Sequence, residues 1–194
     1  HLGIGSESIA DTSKILSTYG NAFMLRTDSD KKLDEFKKYS SIPIINGLSP
    51  SSHPTQVLSD IFTIQEIKKK SISKLKLCWI GDGNNNMMNI LIEACIKFSV
   101  SLNIAWPKSY QQNKMLISLI KKQKGKIKIF NKKEIAIKNS DVVMTDKIIS
   151  LNDKVNKKKK LKSFKNFKVD TKTMNLAKKD AIFLHCLPRG NEVT

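Results

Sequence analysis

The 194-residue chain carries a formal net charge of +18, is 40% hydrophobic and contains three cysteines. This length is enough to bury an α/β core, and no apolar run reaches the ~18 residues of a membrane span. The cysteines show no CxxC spacing, which argues against a secreted disulfide framework, so we expect a soluble, cytoplasmic protein with no membrane partner.

The positive charge comes almost entirely from lysine. Only two of the 35 basic residues are arginines, Arg26 and Arg189. Because nucleic-acid sites usually favour the forked guanidinium donor, we expect no nucleic-acid partner; a non-catalytic module with salt-sensitive nucleic-acid binding stays an alternative. The run Lys157–Lys160 predicts a solvent-exposed start of a helix.

Short apolar, β-branched runs alternate with longer segments of helical periodicity. This alternation predicts an α/β protein with two Rossmann-like parallel-sheet lobes, residues 1–58 and 59–194, the first lobe only partly present. The last five strands are expected in the second lobe. The predicted strands are 22–26, 42–45, 75–80, 102–106, 126–130, 141–145 and 181–185, and the predicted helices are 8–19, 54–69, 85–98, 110–123 and 171–177.

Apolar residues at three- to four-residue spacing predict which side chains are buried. In the helix at 85–98 the apolar face that should pack on the sheet is formed by Met87, Leu91, Ala94, Cys95 and Phe98. We also expect Cys78, in an apolar strand, to be a core residue.

Four polar clusters follow predicted strands or open predicted helices, where open α/β sheets bind their ligands. His53–Gln56 opens a helix whose free backbone N–H groups favour an anion, although His53 could also form only a local cap. Ile80–Asn86 is a strand end followed by a glycine turn. The turn could let a ligand approach the backbone, or it could serve only as a capped turn before the helix. Its GxGxxG fingerprint is incomplete, since Asn86 replaces the third glycine, which makes a nucleotide-binding dehydrogenase a weak alternative.

The other two clusters end apolar strands. The Asp146 carboxylate could hold a substrate ammonium or simply cap a helix. Cys186 follows a strand between His185 and Leu187. Its thiol could be a nucleophile, a positioning group for an amide or amine, or a buried core residue.

Taken in order, these clusters resemble the ornithine carbamoyltransferases of the aspartate/ornithine carbamoyltransferase family. Cys186 stands where aspartate carbamoyltransferases carry Pro. The resemblance rests on His1-Leu2-Gly3, Glu7-Ser8-Ile9-Ala10-Asp11-Thr12, Asn46-Gly47-Leu48, His53-Pro54-Thr55-Gln56, Gly81-Asp82-Gly83 with Asn85-Asn86, Val143-Met144-Thr145-Asp146 and Phe183-Leu184-His185-Cys186-Leu187-Pro188.

The resemblance implies a transferase that moves the carbamoyl group of carbamoyl phosphate to the δ-amine of L-ornithine. The products would be L-citrulline and phosphate, in arginine biosynthesis. It also implies a homotrimer with active sites shared between subunits, and no metal or organic cofactor.

For carbamoyl phosphate, the resemblance implies that Arg26 pairs with the phosphate and that His53 polarises the carbonyl oxygen, which becomes negative during attack. His1 would reach the substrate of a neighbouring subunit. The implied carbamoyl-phosphate-binding residues are His1, Arg26, His53, Pro54, Thr55, Gln56, Cys186 and Leu187.

For ornithine, Asp146 and Ser150 would hold the α-ammonium, and Asn86 with the backbone of Leu151 would hold the α-carboxylate. The deprotonated amine attacks directly, and Asp146 or the departing phosphate helps to collect protons. The implied catalytic residues are His53, Asp146 and Cys186, and we expect them to converge with Asn86 on one cleft.

The sequence also departs from the family. The Ser-x-Arg-Thr-Arg phosphate loop expected before His1 and the C-terminal helix expected after Thr194 are not part of it, so we expect little or no turnover from this chain alone. The family's Asp-x-Trp-x-Ser-Met-Gly loop reads Asp146-Lys147-Ile148-Ile149-Ser150-Leu151-Asn152. The loss of Trp and Gly keeps a different amine acceptor, such as putrescine or a modified ornithine, as an alternative.

Overall fold

The computed structural model describes residues 7–110, 114–122, 125–149 and 156–194. The chain divides into two compact units, His1–Leu58 and Ser59–Thr194. Both units are built from parallel strands and helices, which confirms the predicted α/β class.

The first unit contains a two-stranded parallel sheet with helices before, between and after its strands. Its apolar core is formed by one residue from each of three elements, Ile9, Leu25 and Phe36. The elements are α1 (Ile9–Leu16), β1 (Phe23–Arg26), α2 (Asp30–Tyr39), β2 (Ile44–Leu48) and α3 (Pro54–Lys68), and α3 crosses the border between the units.

The second unit is a five-stranded parallel sheet of order β5-β4-β3-β6-β7. After α3 and a 3₁₀ turn at Ile72–Lys74, its elements are β3 (Lys76–Ile80), α4 (Asn86–Lys97), β4 (Ser101–Ala105), α5 (Lys114–Lys121), β5 (Ile127–Phe130), α6 (Lys133–Ala136), β6 (Val142–Thr145), α7 (Lys157–Ser163), α8 (Thr171–Met174) and β7 (Ile182–His185). The chain runs outward from β3 through β4 and β5 and then returns to the other side of β3. The carboxyl ends of β3 and β6 therefore flank a topological switch point, where open α/β sheets bind ligands.

Several predicted boundaries are wrong. The second strand extends to Leu48, beyond its predicted end at residue 45, because residues up to Leu48 pair with β1 across an irregularity in register. The predicted helix 110–123 is seen from Lys114 to Lys121, and Tyr110 lies outside it against Phe164. The last helix ends at Met174.

Two helices were missed. In α2 only Leu33 and Phe36 form an apolar pair among charged residues, so its hydrophobic periodicity is weak. The helix is instead marked by its N-cap, because the Ser29 hydroxyl accepts the Lys32 backbone N–H. The second, α6 (Lys133–Ala136), is a single short turn.

The buried face of α4 is largely the predicted one, and Cys78 and Cys95 are both buried. Phe98 was wrongly included: it is the C-cap of α4, and 39% of its surface is exposed. Met88 and Ile92 are fully buried in addition. Across the described ranges, no helix is both long and apolar enough to cross a membrane.

Candidate functional site

The second unit places three of the predicted site segments at one edge of its sheet. Strand β6 pairs with β3 on one side and with β7 on the other, with Thr145 aligned to His185. The Thr145 hydroxyl donates to the Ile80 carbonyl at 2.5 Å. Because all these strands are parallel, Asp82, Asp146 and Cys186 leave the sheet at the same edge.

Both glycines of the turn after β3 are required by its geometry. Gly81 has φ +138°, and a Cβ there would lie 3.1 Å from the Thr145 hydroxyl oxygen. A Cβ on Gly83 would lie 2.1 Å from the Trp106 ring. Only glycine lets the backbone turn at the first position and lets the ring pack against the chain at the second.

Asp82 organises this turn. Its Oδ1 accepts the Asn84 backbone N–H at 2.8 Å, and its main-chain carbonyl accepts the Trp79 indole N–H at 3.0 Å. The Asn85 amide also donates to that carbonyl, at 3.4 Å, while its own oxygen caps α4 by accepting the Met88 backbone N–H at 2.8 Å. The turn therefore determines where α4 begins.

Asn86, the predicted α-carboxylate ligand, is the first residue of α4 and is partly buried. The first backbone N–H groups of a helix lack intrahelical acceptors and favour negative charge. A carboxylate at this position would therefore meet both an amide side chain and the positive end of a 12-residue helix.

Asp146 and Cys186 lie together. Burial raises the pKa of Cys186 to about 12, and the nearby carboxylates of Asp146 and Asp60 add to the rise. With this pKa, roughly one thiol in 10⁵ is ionised at pH 7. Of the two chemical roles predicted for Cys186, a neutral positioning group therefore fits and a thiolate nucleophile does not.

The segment after Cys186 is anchored to the end of β7 by contacts of Glu192. The His185 Nε2 atom lies 3.0 Å from Glu192 Oε1, with only 5% and 3% of the two side chains exposed. Glu192 also accepts the Gly190 backbone N–H. A cis peptide joins Leu187 to Pro188, and Leu187 is 76% exposed.

The burial of Lys160 contradicts the predicted solvent exposure of the lysine run Lys157–Lys160. Helix α7 does begin at Lys157, but Lys160 is buried, and its Nζ lies 2.6 Å from Asp82 Oδ2. The sequence signal for its burial is spacing, since Phe164 and Phe167, four and seven residues later, are also buried.

The first unit contains the residues predicted to bind carbamoyl phosphate other than Cys186 and Leu187. Pro54 is the first residue of α3, and Thr55 Oγ1 lies 3.2 Å from His53 Nδ1. Gln56 follows on the same helical turn, and all four residues from His53 to Gln56 are partly buried. Arg26 ends β1 and is exposed.

The remaining predicted site residues, His1, Ser150 and Leu151, lie outside the described residues. The convergence of His53 with Asn86, Asp146 and Cys186 stays a prediction. Sequence reasoning assigned no role to Asp82, Asp60, Lys160 or Glu192. Asp82 was visible inside the glycine turn, whereas Glu192 lies beyond the last strand with no local pattern to single it out.

Both units match family models. Residues 2–66 match the carbamoyl-P binding domain of aspartate/ornithine carbamoyltransferase, and residues 73–194 match its Asp/Orn binding domain. The ornithine carbamoyltransferase of Caldicellulosiruptor saccharolyticus is 44% identical over 200 residues, which cover 100% of this chain and 64% of the relative. The chain thus spans just under two thirds of the length of this relative.

Solved structures of ornithine carbamoyltransferases are also similar to this chain. The anabolic ornithine carbamoyltransferase from Campylobacter jejuni is 38% identical with a TM-score of 0.88, and the match covers 100% of this chain and 65% of that one. The ornithine carbamoyltransferase from Pyrococcus furiosus is 36% identical with a TM-score of 0.84, covering 98% of this chain and 62% of the other.

Proposed function

Because this chain belongs to the aspartate/ornithine carbamoyltransferase family, we propose that the complete gene product containing it transfers the carbamoyl group of carbamoyl phosphate to the δ-amine of L-ornithine. The products are L-citrulline and phosphate. The observation that carries the proposal is the neutral Cys186 thiol close to the Asp146 carboxylate at the carboxyl edge of the five-stranded sheet.

The two units divide the substrates between them. Residues 1–58 form part of a carbamoyl-phosphate-binding domain, and residues 59–194 form an ornithine-binding domain. This division is supported by the family models, whose matches end at residue 66 and begin at residue 73.

The second unit suits an α-amino acid with a second amine. Asp146 supplies a carboxylate for the α-ammonium, and Asn86 with the start of α4 supplies donors for the α-carboxylate. Ser150 and the backbone of Leu151 complete these contacts. The δ-amine is thereby directed toward Cys186 and the carbonyl of Leu187, which orient it and the carbamoyl NH₂.

Catalysis then needs no covalent enzyme intermediate. The amine must lose a proton before it attacks, and the Asp146 carboxylate or the departing phosphate accepts protons as the C–N bond forms and the C–O bond to phosphate breaks. Because Cys186 stays protonated, its S–H donates a hydrogen bond and does not compete with the amine as a nucleophile.

The first unit stabilises the charge that develops on carbamoyl phosphate. His53, held near Thr55 at 3.2 Å, polarises the carbonyl oxygen. Pro54 and Gln56 complete the carbamoyl-phosphate contacts at the start of α3, and Arg26 pairs with the phosphate. His1 contributes to the site of a neighbouring subunit. We therefore propose a cytoplasmic homotrimer with shared sites, acting in arginine biosynthesis.

The test is a steady-state assay of the complete gene product. It measures citrulline and phosphate formed from carbamoyl phosphate with ornithine, putrescine or aspartate as the acceptor. We expect ornithine to give a kcat/KM at least about 100-fold above that for putrescine, because ornithine, unlike putrescine, has the α-ammonium and α-carboxylate that the site is proposed to pair.

The same assay decides between amine acceptors. A clear preference for putrescine would replace the ornithine assignment with the alternative that the altered sequence 146–152 leaves open. Absence of phosphate release with every amine, from a folded protein, would remove the carbamoyltransferase proposal itself.

A further inference from the structure

Lys160 is the most deeply buried charge found in the lysine-rich helix α7. Only 2% of its side chain and 1% of the Asp82 side chain are exposed, and the two meet at 2.6 Å. Residues 157–159 of the same helix are exposed. Removing two charges from water costs free energy. Solubility alone therefore does not explain why this ion pair is buried.

One partner of the pair, Asp82, lies in the turn that precedes Asn86. Asp82 uses its second carboxylate oxygen for the Asn84 N–H and its carbonyl for Trp79 and Asn85. Any movement of Asp82 therefore moves the N-cap of α4.

The other side of the pair is the helix that follows residues 146–156. Helix α7 starts at Lys157, six residues after Leu151. Phe164 packs edge-on against Tyr110 with ring centroids 4.8 Å apart, and Lys160 Nζ lies 5.5 Å from the centroid of the Tyr110 ring. The cation is therefore held by a carboxylate and an aromatic face, which fixes its helix relative to the glycine turn.

We propose that Lys160 is a positioning residue for the amino-acid substrate. Its ion pair with Asp82 anchors the turn that leads to Asn86 to helix α7, so that Asn86 keeps the position in which it meets the substrate carboxylate. The inference rests on the proposed function, because that function assigns Asn86 to the α-carboxylate of ornithine. Of the residues assigned to carbamoyl phosphate, Arg26 and residues 53–56 lie in the other unit, and Cys186 and Leu187 follow β7, outside both the glycine turn and helix α7.

The test compares four variants of the complete gene product: Lys160→Met, Lys160→Arg, Asp82→Asn and the double variant. For Lys160→Met we expect KM for ornithine to rise about 10- to 100-fold, since small misplacements of binding groups have effects of this size. KM for carbamoyl phosphate should change less than about twofold, because no ligand of that substrate is attached to either segment. Lys160→Arg, which keeps the cation, should recover most of the loss.

The double variant separates positioning from stability. It removes both charges, so no uncompensated charge stays buried, and thermal stability should recover toward that of the parent protein. The ornithine KM should nevertheless stay as high as in Lys160→Met, because the link between the segments is still missing. A purely structural pair would instead show the ornithine KM recovering together with Tm.

The chain offers two matched controls. Lys178→Met breaks an ion pair of the same 2.6 Å length at the opposite end of the sheet, and Lys157→Met removes an exposed charge from the same helix. Both should leave the two KM values unchanged. A rise in ornithine KM with either control equal to that of Lys160→Met would overturn the inference.

Hydrogen exchange gives a readout independent of activity. In Lys160→Met, amides of residues 81–88 should exchange at least about fivefold faster than in the parent protein, and in Lys178→Met they should not. A parent protein that does not carbamoylate ornithine would refute the proposed function while this comparison still decides whether Lys160 orders the turn. Unchanged exchange at 81–88 in Lys160→Met would refute the positioning role whatever the activity.

Discussion

Two aspartates at opposite ends of the five-stranded sheet each hold a lysine at 2.6 Å, yet their surroundings differ. At the amino end, Asp141 also accepts the Lys76 backbone N–H at 2.9 Å, and its partner Lys178 is 44% exposed. At the carboxyl end, Asp82 and Lys160 are both almost fully buried.

The comparison shows how one interaction serves two purposes. Asp141 ties the start of β3 to the start of β6, and although Asp141 is buried, its lysine stays half-exposed, so forming this pair costs less desolvation than burying both partners. Asp82 and Lys160 give up their hydration beside Asp146, Cys186 and Asn86, where the proposed substrate binds. We therefore expect changes to the polar groups at the carboxyl end to affect function, and changes at the amino end to affect stability alone.

The largest expected effect is at the carboxyl end. Asp146→Asn should lower kcat/KM for ornithine by about 10³-fold, since it removes the carboxylate proposed to bind the ammonium and accept protons. Its free energy of unfolding should change by less than about 1 kcal/mol, because the partly exposed side chain is replaced by one of equal size. Steady-state kinetics and urea unfolding measure both quantities. A loss below tenfold would remove Asp146 from the proposed site.

Gly83→Ala tests the packing of the glycine turn. The added Cβ would lie 2.1 Å from the Trp106 ring, so the protein should lose about 2–3 kcal/mol of stability through overpacking. Gly20→Ala is the control, because the nearest atom there is 3.7 Å away. Urea denaturation of both variants gives the difference; equal stabilities would contradict the close approach of ring and backbone.

Alkaline titration probes the interior between the two ends. Burial raises the pKa of Cys78 and of Cys95 from 9.0 to about 12, so above pH 9 the folded protein binds more protons than the unfolded chain. The stability these thiols contribute is complete below pH 9 and is lost as pH rises toward 12, by roughly 1.4 kcal/mol per thiol per pH unit. Chemical denaturation at pH 8, 9 and 10 measures the slope. Cys95→Ala should make it shallower, and an unchanged slope would refute this origin.

The smallest effect is expected at the amino end. Lys178→Met should reduce stability by about 1 kcal/mol, because Asp141 keeps its backbone hydrogen bond and Lys178 is half-exposed. Activity should equal that of the parent protein. A selective loss of ornithine affinity in this variant would erase the distinction between the two ends of the sheet.

Local sequence patterns are enough to predict the α/β class, the strands of both sheets and the polar clusters at strand ends. These features are local: β-branched runs, helical periodicity and glycine turns act over a few residues and need no knowledge of distant contacts. The predicted strand at 141–145, for example, differs from β6 by a single residue. The neighbourhood of Asp146 and Cys186 also followed, since residues after parallel strands must leave the same edge of the sheet.

Which charges are buried and paired depends on contacts between distant parts of the folded chain. Lys160 lies in a run of four lysines, and nothing local distinguishes it from its exposed neighbours except its spacing to Phe164 and Phe167. Its partner, Asp82, is 78 residues away. The protonation of Cys186 likewise depends on burial and on carboxylates from other segments. Burial and electrostatics are set by the sum of distant neighbours, so they emerge only when the chain has folded.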